Sequence, residues 1–161
     1  PITIPRSVGH LPAFYNHKPA ARRGYLFDEV GPLYPFGFGL SYTTFGFGPP
    51  RLEKKSIRRG ESTVVRVDVT NTGPVAGEEV VQLYIRDRVS SATRPVKELK
   101  GFGRVPLAPG QTETVVFEIA PERLAFYDID MKYRVEPGEF EILTGNSSRD
   151  EDLQKTVLRV R

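Results

Sequence analysis

The chain has 161 residues, of which 39% are hydrophobic, so its length and composition predict one globular unit with a hydrophobic core and an appendage. It contains no cysteine, which excludes disulfide bonds and any catalytic or metal site built on a thiolate. The net charge of +3 is spread among 23 basic and 20 acidic residues, and no apolar run reaches the ~18 residues that span a membrane, so we expect neither a nucleic-acid-binding surface nor a membrane-spanning segment.

The first 50 residues show no regular alternation, and frequent prolines interrupt any long helix or strand. Only the stretch LPAFYNH (11–17) is predicted to form a short strand. The uncharged run LYPFGFGLSYTTF (33–45) places aromatic rings beside glycine and proline, and the chain from about 42 to 47 is expected to form the first strand of a domain. Large apolar side chains in this region need a surface to pack against. They are Phe14, Tyr15, Tyr25, Phe27, Tyr34, Phe36 and Phe38.

From about residue 51 apolar and polar residues alternate with a period of two, which is the pattern of half-buried β-strands. The clearest case is the stretch 62–71, in which Val65, Val67 and Val69 share one face and charged residues occupy the other. Turns rich in glycine and proline separate the stretches, and helical periodicity is missing. The other predicted strands are 78–87, 96–105, 112–119, 123–128, 132–136, 139–145 and 156–161.

The alternation also predicts which side chains form the core. Gly101 and Gly103 interrupt the predicted strand 96–105 and indicate a bulge or bend there. Gln82, Tyr84 and Arg86 are expected on the face of their strand that points away from the core. The residues expected in the core are Val65, Val67, Val69, Val81, Leu83, Ile85, Val115, Phe117 and Ile119.

Seven or so short strands separated by turns predict an all-β fold, an antiparallel β-sandwich of immunoglobulin-like or fibronectin III-like type. Antibody domains have two cysteines and a tryptophan in their core, and this chain has neither residue type. The fibronectin III-like variant is therefore favoured. The irregular N-terminal extension, rich in proline, glycine and aromatic residues, is expected to lie outside the sandwich.

Candidate catalytic and metal-binding residues are few. The two histidines, His10 and His17, are not in a spacing typical of metal ligands. Two carboxylates can hydrolyse a glycosidic bond when they are held at the right separation, and the neighbours Asp28–Glu29 or the pair Asp128 and Asp130 match that requirement by residue type alone. Acids in loops are usually surface or turn residues. We therefore predict no catalytic residue, no metal site and no cofactor in this chain.

Several strings, in this order and spacing, resemble the C-terminal end of glycoside hydrolase family 3 enzymes, the β-glucosidases and β-xylosidases. The resemblance implies retaining hydrolysis of terminal β-glucosides or β-xylosides, with an aspartate nucleophile from a barrel domain and a glutamate acid/base from an α/β sandwich domain. Neither catalytic motif has a counterpart here, so no catalytic residue is carried over. The strings are PRSVGHLPAFYNHKP, GYLFDEVGPLYPFGFGLSYTTF, VTNTGPVAGEEVVQLYIRD, RPVKELKGFGRVPLAPGQTETVVFEI, LAFYD and VEPGEFEILTGNSS.

The same resemblance implies a division of the chain into three parts. Residues 1–18 would be the remnant of the end of a preceding α/β sandwich domain, residues 19–50 an interdomain connector, and residues 51–161 the fibronectin III-like domain. The implied partners are the upstream barrel and α/β sandwich catalytic domains of the same polypeptide. A periplasmic or extracellular location is favoured by resemblance alone.

Three functional hypotheses follow. The first is a non-catalytic module that braces the catalytic domains, in which the connector's rings fill a groove between domains. The second is a carbohydrate-binding module, in which exposed rings stack on β-linked glucan or xylan oligosaccharides. The third is an adhesion or oligomerisation sandwich, and self-association of the isolated chain is expected if the rings stay uncovered. The residues expected to serve in interdomain packing or sugar contact are Tyr25, Phe27, Tyr34, Phe36, Phe38 and Tyr42.

Overall fold

The computed structural model describes residues 2–19 and 29–161, and these residues form a fold of short strands with almost no helix. One helical turn, α1, covers Pro121–Leu124, and single 3-10 turns lie at Val8–His10 and Asp150–Asp152. The strands are β1 (Phe45–Phe47), β2 (Arg51–Leu52), β3 (Ser56–Ile57), β4 (Thr63–Asn71), β5 (Gly77–Asp87), β6 (Glu98–Leu107), β7 (Thr112–Ile119), β8 (Phe126–Tyr127), β9 (Tyr133–Arg134), β10 (Gly138–Gly145) and β11 (Leu153–Val160).

Two sheets form the sandwich. In the first sheet β1 and β2 pair with one edge of β4, and β7 pairs with its other edge. The second sheet has the order β3-β11-β10-β5-β6, and its pairs are antiparallel except for the parallel pair of β11 with β3. A separate small hairpin joins β8 and β9. The predicted all-β, fibronectin III-like sandwich is thus confirmed.

The hydrophobic core lies between the two sheets, and all nine residues that the alternation assigns to it are buried. Burial alternates along the whole of β4. The register of β5 and β6 is irregular between Leu83 and Tyr84, opposite Gly101, as predicted for that glycine-containing strand. A Cβ at Gly101 would lie 3.3 Å from the Phe117 ring, so the glycine leaves room for this core side chain.

Three local predictions are wrong. Residues 11–17 form no strand and contain only a bend at Pro12 and a turn at residues 15–16. Pro12 cannot donate a backbone hydrogen bond, and the ring of Tyr15 packs on Tyr84 of β5. The predicted strand 123–128 shrinks to β8, since α1 begins at Pro121, a residue suited to the first turn of a helix. The first strand begins at Phe45 rather than near Tyr42.

A charged cluster on the first sheet gives a testable pH dependence. Arg51 donates two hydrogen bonds to the Asp68 carboxylate, at 2.7 and 2.9 Å, and the Thr114 hydroxyl donates a third at 2.6 Å. Arg51 first, and then Thr114, lower the pKa of Asp68 from the ordinary 3.8 to about 2. Because the pKa of Asp68 is lower in the folded than in the unfolded state, its ionised carboxylate stabilises the fold. This contribution to the free energy of unfolding is complete above the unfolded pKa and is lost as the pH falls through about 2.

We expect the side-chain carboxyl carbon of Asp68 to titrate by NMR with a midpoint near pH 2 in the native protein. In the Thr114→Val variant the midpoint should be at a higher pH, because the hydrogen bond from Thr114 is lost. A midpoint at 3.8 in the native protein would contradict the described contacts. Glu118 lies on the same strand as Thr114, and Glu118→Gln is a control that should leave the Asp68 midpoint unchanged.

Candidate interdomain surface

The outward face of β5 is covered around Tyr84 rather than open to water. Tyr84 on this face is completely buried, although it points away from the core between the sheets. It belongs to a second apolar cluster, here called the outer cluster, which joins the five-stranded sheet to the N-terminal residues. Its members are Tyr84, Leu143, Leu153, Tyr15, Phe36 and Leu99.

Two aromatic rings attach the N-terminal residues to this sheet. The rings of Tyr15 and Phe36 stack with centroids 4.3 Å apart, and the rings of Tyr15 and Tyr84 form a T-shaped contact with centroids 5.7 Å apart. The Tyr15 hydroxyl accepts the backbone N–H of Leu99 at 3.2 Å. The backbone carbonyl of Phe36 accepts the N–H of Ser148 at 2.8 Å. Apolar contacts and hydrogen bonds together therefore fix two separate parts of the N-terminal sequence on the sheet.

A buried polar cluster around Gln82 fixes the connector beside the outer cluster. The Gln82 amide Nε2 donates to the carbonyl of Gly37 at 3.0 Å and to that of Asn146 at 2.6 Å. The Tyr84 hydroxyl donates to Gln82 Oε1 at 2.5 Å. Burial raises the pKa of Tyr84, so its hydroxyl stays protonated as a donor. Each polar atom of the Gln82 amide thus has a partner, as a buried amide requires.

A second buried polar cluster lies where the connector meets the sandwich. The fully buried Asn71 accepts hydrogen bonds at Oδ1 from the Thr43 hydroxyl at 2.7 Å and from the Gly73 N–H at 3.0 Å. Its Nδ2 donates to the carbonyls of Val75 at 2.8 Å and Leu107 at 3.0 Å. One side chain therefore joins the connector, the turn after β4 and the end of β6.

Between these two clusters the connector presents apolar side chains to water. Leu40 is 91% exposed, and Tyr42 is completely exposed. Tyr34 and Phe38 stack on each other with centroids 5.2 Å apart, but both rings keep an accessible face. Gln82 holds the backbone carbonyl of Gly37 and Asn71 holds the side-chain hydroxyl of Thr43, so the exposed stretch from 38 to 42 is anchored at both ends.

Asp128, the first of the two carboxylates considered at 128 and 130, is engaged in a turn. The buried Asp128 carboxylate accepts the backbone N–H groups of Asp130 and Lys132, at 2.8 and 2.9 Å, and pairs with Arg134 at 2.5 Å. The Lys132 bond is the first cause that lowers the pKa of Asp128. These contacts make it the organiser of the turn between β8 and β9, which is a structural role.

Of the other two neighbouring carboxylates, only Glu29 belongs to the described residues. Glu29 pairs with Arg6 at 2.5 Å, and Asp28 lies outside the described residues. Within residues 2–19 and 29–161, no group of three or more His, Asp or Glu side chains is placed to hold a metal ion. In the same residues no helix is long and apolar enough to cross a membrane.

Comparison with known proteins agrees with this architecture. Residues 79–148, from β5 to the turn after β10, match the family described as the fibronectin type III-like domain. This chain contains a fibronectin type III-like domain. A β-xylosidase of Formosa agariphila is 46% identical over 99% of this chain, and the periplasmic β-glucosidase of Salmonella typhimurium is 44% identical over 92% of it.

Solved structures show the same similarity. A β-glucosidase structure from Erythrobacter marinus matches with a TM-score of 0.93 and 49% identity over 99% of this chain and 21% of its own. The chain spans about a fifth of the length of the curated relatives that it matches, 23% and 21% for the two enzymes above. The resemblance to the C-terminal part of family 3 β-glucosidases and β-xylosidases is thereby confirmed, and it includes the connector as well as the fibronectin type III-like domain.

The structure separates the four described residues of the six expected at the interdomain site. Phe36 packs onto the fibronectin type III-like domain, whereas Tyr34 and Phe38 form an exposed pair and Tyr42 points into water. Tyr25 and Phe27 lie outside the described residues. Sequence reasoning missed the roles of Gln82 and Asn71. A polar residue inside the apolar run VVQLYI was the available signal for the first of these.

Proposed function

We propose that this chain is the non-catalytic C-terminal module of a family 3 β-glycosidase and that it braces the catalytic domains of the same polypeptide. The parent enzyme would hydrolyse terminal β-glucosides or β-xylosides, with both catalytic carboxylates supplied by its barrel and α/β sandwich domains. The observation that carries this proposal is the division of the connector into an attached side and an exposed apolar side.

The attached side provides rigidity. Phe36 is packed in the outer cluster, Gly37 is bonded to Gln82, and Thr43 is bonded to Asn71. A segment held in this way has already lost most of its backbone freedom, so a partner that binds it has little ordering entropy left to overcome. The connector is therefore organised for docking before it meets a second surface.

The exposed side provides the docking energy. Leu40 and Tyr42 stand in water, and burying a side chain of this size stabilises by about 1.5–3 kcal/mol. The matched relatives are more than four times as long as this chain, so such polypeptides contain other domains that can cover the connector. We accordingly keep the proposed division into residues 1–18, 19–50 and 51–161, with the middle part as the contact between domains.

Leu40→Asp in the full-length polypeptide tests this function. We expect the half-life of glycosidase activity at an elevated temperature to fall by about 10-fold or more, because an unpaired charge replaces a buried side chain at the domain contact. Val89→Asp is the matched control, since Val89 is also highly exposed but lies in the loop after β5. The unfolding midpoint of the isolated chain should be the same for both variants and the wild type.

Equal half-lives for Leu40→Asp and Val89→Asp would count against the brace.

The stacked, exposed pair of Tyr34 and Phe38 is the observation that favours the carbohydrate-binding alternative. Calorimetric titration of the isolated chain with xylo- and cello-oligosaccharides tests it. Binding that is lost in Tyr34→Ala would replace the brace with sugar recognition, whereas absence of binding together with the shortened half-life would support the brace.

A further inference from the structure

The outer face of the five-stranded sheet is covered only in part. Phe102 on β6 is 71% exposed, and Val80 on β5 is 38% exposed. Phe102 lies directly opposite Gln82 in the antiparallel register, and Val80 precedes Gln82 by two residues on the same strand. Since alternate residues of a strand and directly paired residues share a face, both apolar side chains lie on the same face as Gln82.

The two residues that flank Phe102 are glycines, so they contribute no side chain to the core. The flanking Gly101 and Gly103 face the first sheet, where a Cβ would lie 3.3 Å from Phe117 and 3.4 Å from Val115. A glycine inside a strand weakens it and often marks close approach of a neighbour. The one large side chain of this stretch is therefore presented outward, to a surface that the described residues leave open.

Phe102 and the connector meet at the same glutamine. Gln82, the partner of Phe102 across the strands, donates to the carbonyl of Gly37, and Gly37 immediately precedes Phe38. Phe38 in turn stacks on Tyr34. The exposed apolar side chains of the sheet and of the connector thus belong to segments that meet at one buried amide. We call this surface the outer patch, and it consists of Tyr34, Phe38, Val80 and Phe102.

A polar rim borders the patch. Arg104 lies opposite Val80 and forms an ion pair with Glu78, and both side chains are exposed. An apolar and aromatic centre beside a solvated ion pair is the usual composition of a protein–protein contact. Because these two charges already neutralise each other, the rim does not require a strongly charged partner.

We propose that the outer patch binds the preceding catalytic part of the same polypeptide, so that the interdomain contact extends from the connector onto the face of β5 and β6. This inference rests on the proposed function. The connector is covalently continuous with the patch, and linking raises the effective concentration of the attached domain far above that of a second copy. The matched relatives, of which this chain is about a fifth, contain that additional polypeptide.

The test uses Val80→Asp and Phe102→Asp in the full-length polypeptide, with Val116→Asp as the matched control. Val116 is 54% exposed on β7, and its side chain is on the outer face of the opposite sheet. We expect Val80→Asp and Phe102→Asp each to shorten the half-life of activity at an elevated temperature by about 10-fold, and Val116→Asp to change it by less than about 2-fold.

A second measurement does not depend on substitution. Hydrogen exchange of the peptide containing β6 should be at least about 10-fold slower in the full-length polypeptide than in the isolated chain, while exchange of β7 should be the same in both. Phe102→Ser, which introduces no charge, should reproduce the shorter half-life and keeps the test valid if Phe102→Asp does not fold.

The outcomes separate this inference from the proposed function. If Leu40→Asp shortens the half-life but neither Val80→Asp nor Phe102→Ser does, the brace stands and the contact does not extend onto the sheet. If none of these variants has an effect, both proposals fail. If Phe102→Ser abolishes a dimer of the full-length polypeptide in sedimentation and leaves the half-life unchanged, the patch binds a second copy and the inference is overturned.

Discussion

The Asn71→Ala variant is expected to lose about 3 kcal/mol or more of its free energy of unfolding, the largest effect of a single polar substitution that we predict. Asn71 is fully buried and satisfies four partners, namely one hydroxyl, one backbone N–H and two carbonyls. Alanine would remove all four bonds and leave the two buried partners, the Thr43 hydroxyl and the Leu107 carbonyl, without this contact, and each such group costs about 1–3 kcal/mol unless water reaches it. Urea denaturation of the isolated chain measures the loss.

Two variants of the same cluster serve as controls. Thr43→Val removes only the hydroxyl bond to Asn71 and should cost about 1 kcal/mol. Asn71→Asp keeps the acceptor atoms but removes the donor to Val75 and Leu107, so its stability should fall below that of Thr43→Val. If Asn71→Ala is no less stable than Thr43→Val, the cluster does not hold the start of the sandwich as described.

The Gly37→Ala variant is expected to release the connector from the sheet at a cost of about 2 kcal/mol. Gly37 has a φ of +82°, which side chains other than glycine rarely adopt, and a Cβ there would lie 2.1 Å from Gln82 Oε1. Gln82 cannot move aside without breaking its bonds to Tyr84 and Asn146. We expect faster hydrogen exchange and faster proteolysis of the connector, with little change in the exchange of β4 and β7.

Gly39 provides the matched control for Gly37. A Cβ at Gly39 would meet no atom within 4 Å, and its φ is not in the left-handed region, so Gly39→Ala should behave like the wild type. If Gln82 is the obstacle, Gly37→Ala should cost less in a Gln82→Ala background than in the wild type, because the steric overlap is then gone and only the backbone strain at residue 37 is left. Equal proteolysis rates for Gly37→Ala and Gly39→Ala would contradict the proposed anchoring of the connector.

The sandwich itself was largely predictable from the sequence. Alternation with a period of two assigned Val65, Leu83 and Phe117 to the core correctly, because a strand with one buried face has only one acceptable register. The same pattern could not show that the opposite face at Tyr84 is buried too. Tyr15 and Phe36 cover that face, and both are far from Tyr84 in sequence. Alternation within one strand contains no information about such distant residues.

The candidate surface was less predictable. Tyr34, Phe36 and Phe38 alternate in one short run, and the sequence suggested a common role for all three. Their directions depend on the turn at Gly37 and on its bond to Gln82, a contact between residues 45 positions apart. The roles expected for Tyr25 and Phe27 stay predictions.

The parallel pair of β3 and β11 has a consequence for biosynthesis. Ser56 pairs with Arg159 and Ile57 with Val160, partners that are about a hundred residues apart in sequence. During translation β11 must leave the ribosome before β3 and β10 gain this neighbour, and such distant pairing makes folding slow. Until then one edge of β10 is unpaired and β3 has no neighbour in this sheet, so both are available to chaperones or to other unfinished chains. In a polypeptide whose catalytic domains are synthesised first, their contact with this module would form only after β11 has been synthesised.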